Sequence, residues 1–152
     1  MVCMNSFYTD ARDEIFKALK DELRSSPLWL IIRHGLTVRG LDFKLYYPKP
    51  RSSASVANQH YRENRITFIT ELIIKGGKRP DFGIFLNGFP IMTMELTHET
   101  NQTVHDAVKQ YANRDHSDRI FQLPFLHIAS DTSDSMVATY PKPENKISGF
   151  NN

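Results

Sequence analysis

Cysteine occurs once in this chain, at Cys3. That excludes an internal disulfide framework and fits a reducing, cytoplasmic setting. No apolar run approaches the roughly 20 residues that a helix needs to span a bilayer. Met1 to Asp10 has neither the basic n-region nor the apolar core of a secretory leader. No Gly-rich run ends in Gly-Lys-Ser or Gly-Lys-Thr, so no P-loop and no ATP site is read from this chain. A Gly-x-Ser-x-Gly nucleophile elbow is also missing. Six histidines are present, but none has a compact His-x-x-x-His spacing. His98 and His105 flank the start of one predicted helix and His116 follows it; with a single cysteine, they do not read as a zinc site. There is no internal repeat. An excess of one charge is lacking too: 19 Lys and Arg face 17 Asp and Glu, a formal net charge of +2. That balance permits nucleic-acid binding without arguing for it, so a local patch would have to do the binding.

What is present is ordinary for a soluble globular protein: 40% hydrophobic and 24% charged residues over 152 positions. Thr9 or Asp10 is placed to cap a first helix, whose Ile15, Phe16, Leu19 and Leu23 fall on one face. Ser25-Ser26-Pro27 ends it. Leu28 to Ile32, which includes Trp29, reads as core and suits a helix or a buried strand. In an excised domain the same run would be an exposed apolar patch. Gly35 and Gly40 bracket a turn-rich stretch, and Leu41 to Tyr47 alternates like a strand. Pro48 to Ser53 is a polar loop, and Ala54 to Asn64 reads as a helix. Strands are predicted over Arg65 to Ile74, Asp81 to Leu86 and Ile91 to Leu96, with a turn at Lys75-Gly76-Gly77-Lys78. Asn101 or Thr103 starts a helix to Asn113 that buries Val104, Ala107, Val108 and Tyr111. Leu123 to Ser130 and Met136 to Tyr140 are further strands, and the tail from Pro141 is polar. The expected class is α/β, with a central, mixed, mostly antiparallel sheet flanked by helices. One domain is expected over 1–152, with 1–64 a lead-in and 65–140 the core.

The stretch from Arg79 to Thr97 carries the chemistry. Two apolar runs flank Asn87-Gly88, a strong hairpin signal. An acid stands at the outer end of each run, Asp81 and Glu95. This is nearly the PD-(D/E)-x-K metal site of many nucleases. Two carboxylates on adjacent strands can hold Mg²⁺ through oxygen while it keeps waters and phosphate contacts. A lysine two residues after the second acid would share its face, because strand side chains alternate. Thr97 stands in that position, and threonine carries no charge. The turn imposes a further condition. A plain two-residue Asn87-Gly88 turn pairs Leu86 with Phe89, sets Asp81 opposite Met94 and turns Glu95 to the other side of the sheet. One extra residue, in a longer loop or a bulge, is needed to set Asp81 opposite Glu95. The plain alternative is a pair of solvated acids at strand ends.

Several further segments bear on this reading. They are Arg33-His34-Gly35, Phe43-Lys44-Leu45, Pro48-Lys49-Pro50, Tyr61 to Arg65, the Arg79 to Ile91 hairpin, Asn101 to Tyr111, Phe125 to Asp131 and Phe150-Asn151. Together they resemble the N-terminal nuclease domain of the R subunit of type I restriction endonucleases, over most of the chain. The resemblance implies a restriction-endonuclease-like core and Mg²⁺-dependent hydrolysis of double-stranded DNA. It implies partner modification and specificity subunits, with sequence recognition in the latter. It assigns Asp81 and Glu95 as metal ligands and Gln110 as a supporting residue. Relatives often carry a tyrosine four residues after that glutamine; here the position is Arg114. The family's R subunits are much longer, with ATP-driven translocating domains, so this chain is a cut-out domain or a natural short form.

Thr97 leaves three readings: a decayed site, an introduced substitution, or a lysine reaching in from elsewhere, with Lys109 the first candidate and Lys78 the second. Lys75, Lys78, Arg79 and Lys109 are the candidate DNA contacts. A looser set, Lys44, Lys49 and Arg51, lies near Tyr46 and Tyr47. The plain reading of each is a solvated surface charge. Two functions therefore stand: a metal-dependent nuclease domain, or a non-catalytic module of the same fold that binds DNA or docks subunits.

Overall fold

The computed structural model describes residues 3–53, 55–73, 80–98, 103–115 and 117–139. The chain divides into two compact units, Met1–Asn64 and Arg65–Asn152.

In the first unit, helix α1 runs Cys3–Glu22. It starts well before Thr9 and Asp10, so neither caps it. The cause is local: no Pro or Gly lies between Cys3 and Asp10 to stop the helix propagating back. Pro27 then precedes α2, Leu28–His34, and supplies a fixed φ where its missing N–H costs nothing. The ambiguous apolar run is thus helical. Leu28, Ile31 and Ile32 share the buried face, and Trp29 is 45% exposed. Gly35 ends α2 at φ +86°, and a Cβ there would lie 2.4 Å from the Phe43 carbonyl oxygen. Strands β1, Leu36–Val38, and β2, Leu41–Phe43, form a short hairpin. Its turn, Arg39-Gly40, has positive φ at both residues. The strand expected to reach Tyr47 stops at Phe43. Tyr47 is instead tied to Asn64, whose amide donates to the Tyr47 carbonyl at 2.7 Å and accepts from its N–H at 3.1 Å. Helix α3 covers Val56–Glu63, inside the predicted range.

The second unit is built on a five-stranded sheet. Its strands are β3 (Ile66–Thr70), β4 (Phe82–Leu86), β5 (Phe89–Leu96), β6 (Leu126–Ser130) and β7 (Ser135–Ala138), in that spatial order. All neighbours are antiparallel except β5 and β6. A parallel pair needs a crossover, and helices α4 (Val104–Ala112) and α5 (Arg119–Gln122) lie in that connection. The expected mixed α/β class is the observed one. Thr103 starts α4, with the Asp106 carboxylate accepting from the Thr103 N–H at 2.9 Å. Asp131, at the end of β6, accepts from the Val104 N–H at 2.7 Å and fixes the helix start to the sheet.

The predicted face of α4 is the buried one. Val104, Ala107, Val108 and Tyr111 pack with Phe121, Ala129, Met136 and Ala138 in one core. Helix α5 has too few residues to show a period, and its Phe121 fills the centre of that core. The predicted turn at Lys75–Lys78 and the tail from Pro141 lie outside the described residues. Among the described residues, no helix is long and apolar enough to cross a membrane.

Candidate functional site

The face of β5 under α4 carries Thr93 and Glu95, Thr97 follows just past the strand's end, and all three are buried. Such polar groups are costly to bury unless each finds a partner. Thr93 Oγ1 lies 2.7 Å from His127 Nδ1 on β6 and accepts from the Tyr111 hydroxyl at 3.1 Å. Burial pushes the Tyr111 hydroxyl pKa well up, so it stays a neutral donor. These three side chains lock the C-terminal end of α4 to the sheet.

The relation between Asp81 and Glu95 depends on the β4–β5 register. The turn is a tight two-residue one, with Leu86 paired to Phe89 and positive φ at Asn87 and Gly88. Phe85 pairs with Pro90, but Ile84 pairs with Met92. Ile91 is therefore the extra residue of a β-bulge, as the shared-face condition required. Pro90 is tolerated beside it because Phe85–Pro90 is a non-hydrogen-bonded pair and β6 begins pairing only at Met92, so no ladder bond needs its N–H. Beyond the bulge Phe82 pairs with Met94, and continuing that register sets Asp81 opposite Glu95.

Asp81 is held on both sides. Its carbonyl accepts from the Glu71 N–H at 2.8 Å, which extends the β3 edge. Its Oδ2 accepts from the Leu96 N–H at 2.6 Å. The side chain thus does for β5 what a further backbone carbonyl of β4 would do. Glu71 itself stands in the left-handed region at φ 47°, a strained position beside the acid pair.

Glu95 is 1% exposed. Arg114, just past the end of α4, donates to its Oε1 from Nε at 2.8 Å and from Nη2 at 2.5 Å. The guanidinium side chain is itself only 11% exposed. Burial pushes the Glu95 carboxyl pKa up to about 7; Arg114 works against that rise, and the charge of Asp81 adds to it.

Thr97 does not face the acids as a free hydroxyl. Its Oγ1 donates to the Thr103 carbonyl at 3.1 Å, and its N–H donates to the Ser130 carbonyl at 2.9 Å. Lys109 is 66% exposed, with its ammonium on Asp106 at 3.0 Å. It is engaged on the helix surface rather than at the acids. Gln110 is half-buried on α4. Lys75, Lys78 and Arg79 lie outside the described residues, as does His116. His98 and His105 are exposed. Among the described residues, no group of three or more His, Cys, Asp or Glu is arranged to hold a metal. The structure brings together Asp81, Glu95 and Arg114.

The family model described as Type I restriction enzyme R protein N terminus matches residues 36–146, a span that contains all three. The chain belongs to this family. No curated protein and no solved structure matches it. Within this R protein N terminus, Arg114 is the residue whose role the sequence did not reveal. It read there only as a departure from tyrosine. The available signal was a cation four residues after Gln110, beyond the end of a helix whose apolar face packs on the strand of Glu95.

Proposed function

We propose that this R protein N terminus is an endonuclease domain that hydrolyses DNA phosphodiesters at a Mg²⁺ site formed by Asp81 and Glu95. The observation that supports it most is the bulge at Ile91. A one-residue irregularity in an otherwise regular hairpin brings two acids to one face, where simple pairing would part them. The donor set suits the metal: two carboxylates are hard oxygen ligands, and Mg²⁺ takes few protein ligands beside waters and phosphate. Each acid also divides its oxygens. Asp81 commits Oδ2 to Leu96 and Glu95 commits Oε1 to Arg114. Among the described residues, no hydrogen bond falls on Asp81 Oδ1 or Glu95 Oε2. A bound Mg²⁺ would activate a water and offset charge on the phosphate. Asp81 and Glu95 would hold it, and their contacts to Leu96 and Arg114 would keep both carboxylates aimed.

Family membership supports a place in a multisubunit restriction complex. The finer reading adds modification and specificity subunits as partners and double-stranded DNA as substrate, with little sequence preference in this domain itself. The second reading, a DNA-binding or docking module without catalysis, is favoured by Thr97, whose hydroxyl is spent on backbone where a cation is expected. Mg²⁺ and Mn²⁺ titration by calorimetry, beside plasmid nicking, separates the two. Metal binding and nicking that both vanish in Asp81→Ala support the nuclease. An unchanged chain that binds no divalent ion supports the module.

A further inference from the structure

We propose that Arg114 is the fixed cation of this site, placed from the helix end rather than from the strand, and that it holds Glu95 and contacts the DNA phosphate. The inference rests on the nuclease reading for its substrate, and on geometry for the residue.

A lysine two residues after Glu95 would put its charge on the buried face of β5. Thr97 occupies that place and is bonded to the Thr103 carbonyl. Lys109 is drawn off to Asp106. Among the described residues, Arg114 is the cation bonded to either acid. Both of its contacts converge on Glu95 Oε1, a side-on grip that constrains the carboxylate more than one bond would. A guanidinium carries five N–H donors in a rigid fork, and Glu95 takes those of Nε and Nη2. Planar donors of this kind suit phosphate oxygens.

Its placement is built in. The Arg114 N–H donates to the Tyr111 carbonyl at 3.1 Å. The Tyr111 hydroxyl is in turn bonded to Thr93, two residues before Glu95 on the same face. Tyr111 thus anchors the helix end to the strand that carries the acid, and Arg114 is bonded to that anchor. The end of α4 also favours a cation, because its last carbonyls leave partial negative charge there.

The test uses the full chain with Arg114→Gln, Arg114→Lys and the double variant Thr97→Lys/Arg114→Gln, each checked for folding by circular dichroism. With Mg²⁺ present, Arg114→Gln is expected to lower plasmid nicking about 100-fold, the scale of losing one preorganised charge contact. Arg114→Lys, which keeps charge without the fork, recovers part of it. The double variant also recovers nicking, since it returns a cation through the strand. A folded double variant no better than Arg114→Gln alone overturns the assignment. DNA affinity in EDTA supplies an arm free of metal chemistry. There the slope of log affinity against log salt is expected to shrink by about one in Arg114→Gln, the signature of one lost phosphate contact. An unchanged slope overturns the phosphate contact, because a merely structural ion pair would leave it alone. An unchanged chain that neither binds Mg²⁺ nor nicks DNA overturns the nuclease reading instead, and the EDTA slope still decides Arg114.

Discussion

Glu95 makes the metal-free protein less stable as pH rises from 4.5 to 7. Its carboxyl is raised from 4.5 to about 7, chiefly by burial, with Arg114 opposing and Asp81 adding. In that window the folded state keeps a proton that the unfolded state has released. Folding stability is therefore greatest below the unfolded pKa and is lost progressively as pH rises through the folded one. Each pKa unit is worth about 1.4 kcal/mol, so the whole span is about 3 kcal/mol. Glu95→Gln removes the ionisation and keeps the shape. The informative quantity is then the difference between the two proteins in urea denaturation, measured in EDTA from pH 4 to 8. The curves are expected to diverge by about 3 kcal/mol over this range, the parent losing ground to the variant as pH rises. Carboxyl carbon NMR on the parent gives the same answer at one atom. Arg114→Gln should move the Glu95 titration higher still, because the main opposing influence is gone. Curves that stay parallel, or a Glu95 that titrates as an ordinary carboxylate, would refute the argument.

Deletion of Ile91 removes the bulge but leaves Phe85 with Pro90 and Ile84 with Met92, so Asp81 and Glu95 stay on one face. Hydrogen exchange at β5 and α4 is expected to stay native-like, and lost protection in the deletion would show that Ile91 is not the extra residue of the hairpin. Tyr111→Phe leaves Thr93 without its hydroxyl donor in a buried network and is expected to cost about 1–2 kcal/mol. Thermal and urea denaturation check it, and an unchanged midpoint would show that the Tyr111–Thr93 bond contributes nothing net.

Much of the second unit was legible because its signals are local. Asn87-Gly88 reads as a two-residue turn since those residues tolerate positive φ, and both adopt it. The apolar spacing of Val104, Ala107, Val108 and Tyr111 identifies the buried face of α4 with no knowledge of what covers it. The need for an extra residue between Asp81 and Glu95 follows from counting alone. Its location at Ile91 shows only in how the two strands pair. The first unit was less legible. The start of α1 carried no stop signal, and the end of β2 depends on Tyr47 being captured by Asn64, 17 residues away.

The sequence by itself determined the pieces of this site: two acids, a turn that needs one compensating residue, and an amphipathic helix after the second acid. Those features depend on neighbours within a few positions, where backbone sterics and side-chain period decide. Only the tertiary structure decided which cation meets Glu95. Arg114 lies 19 residues further along the chain, and the two meet because α4 folds back over β5. The shift of the Glu95 carboxyl was equally beyond reach from sequence, since desolvation depends on everything packed around the group and not on its place in the chain.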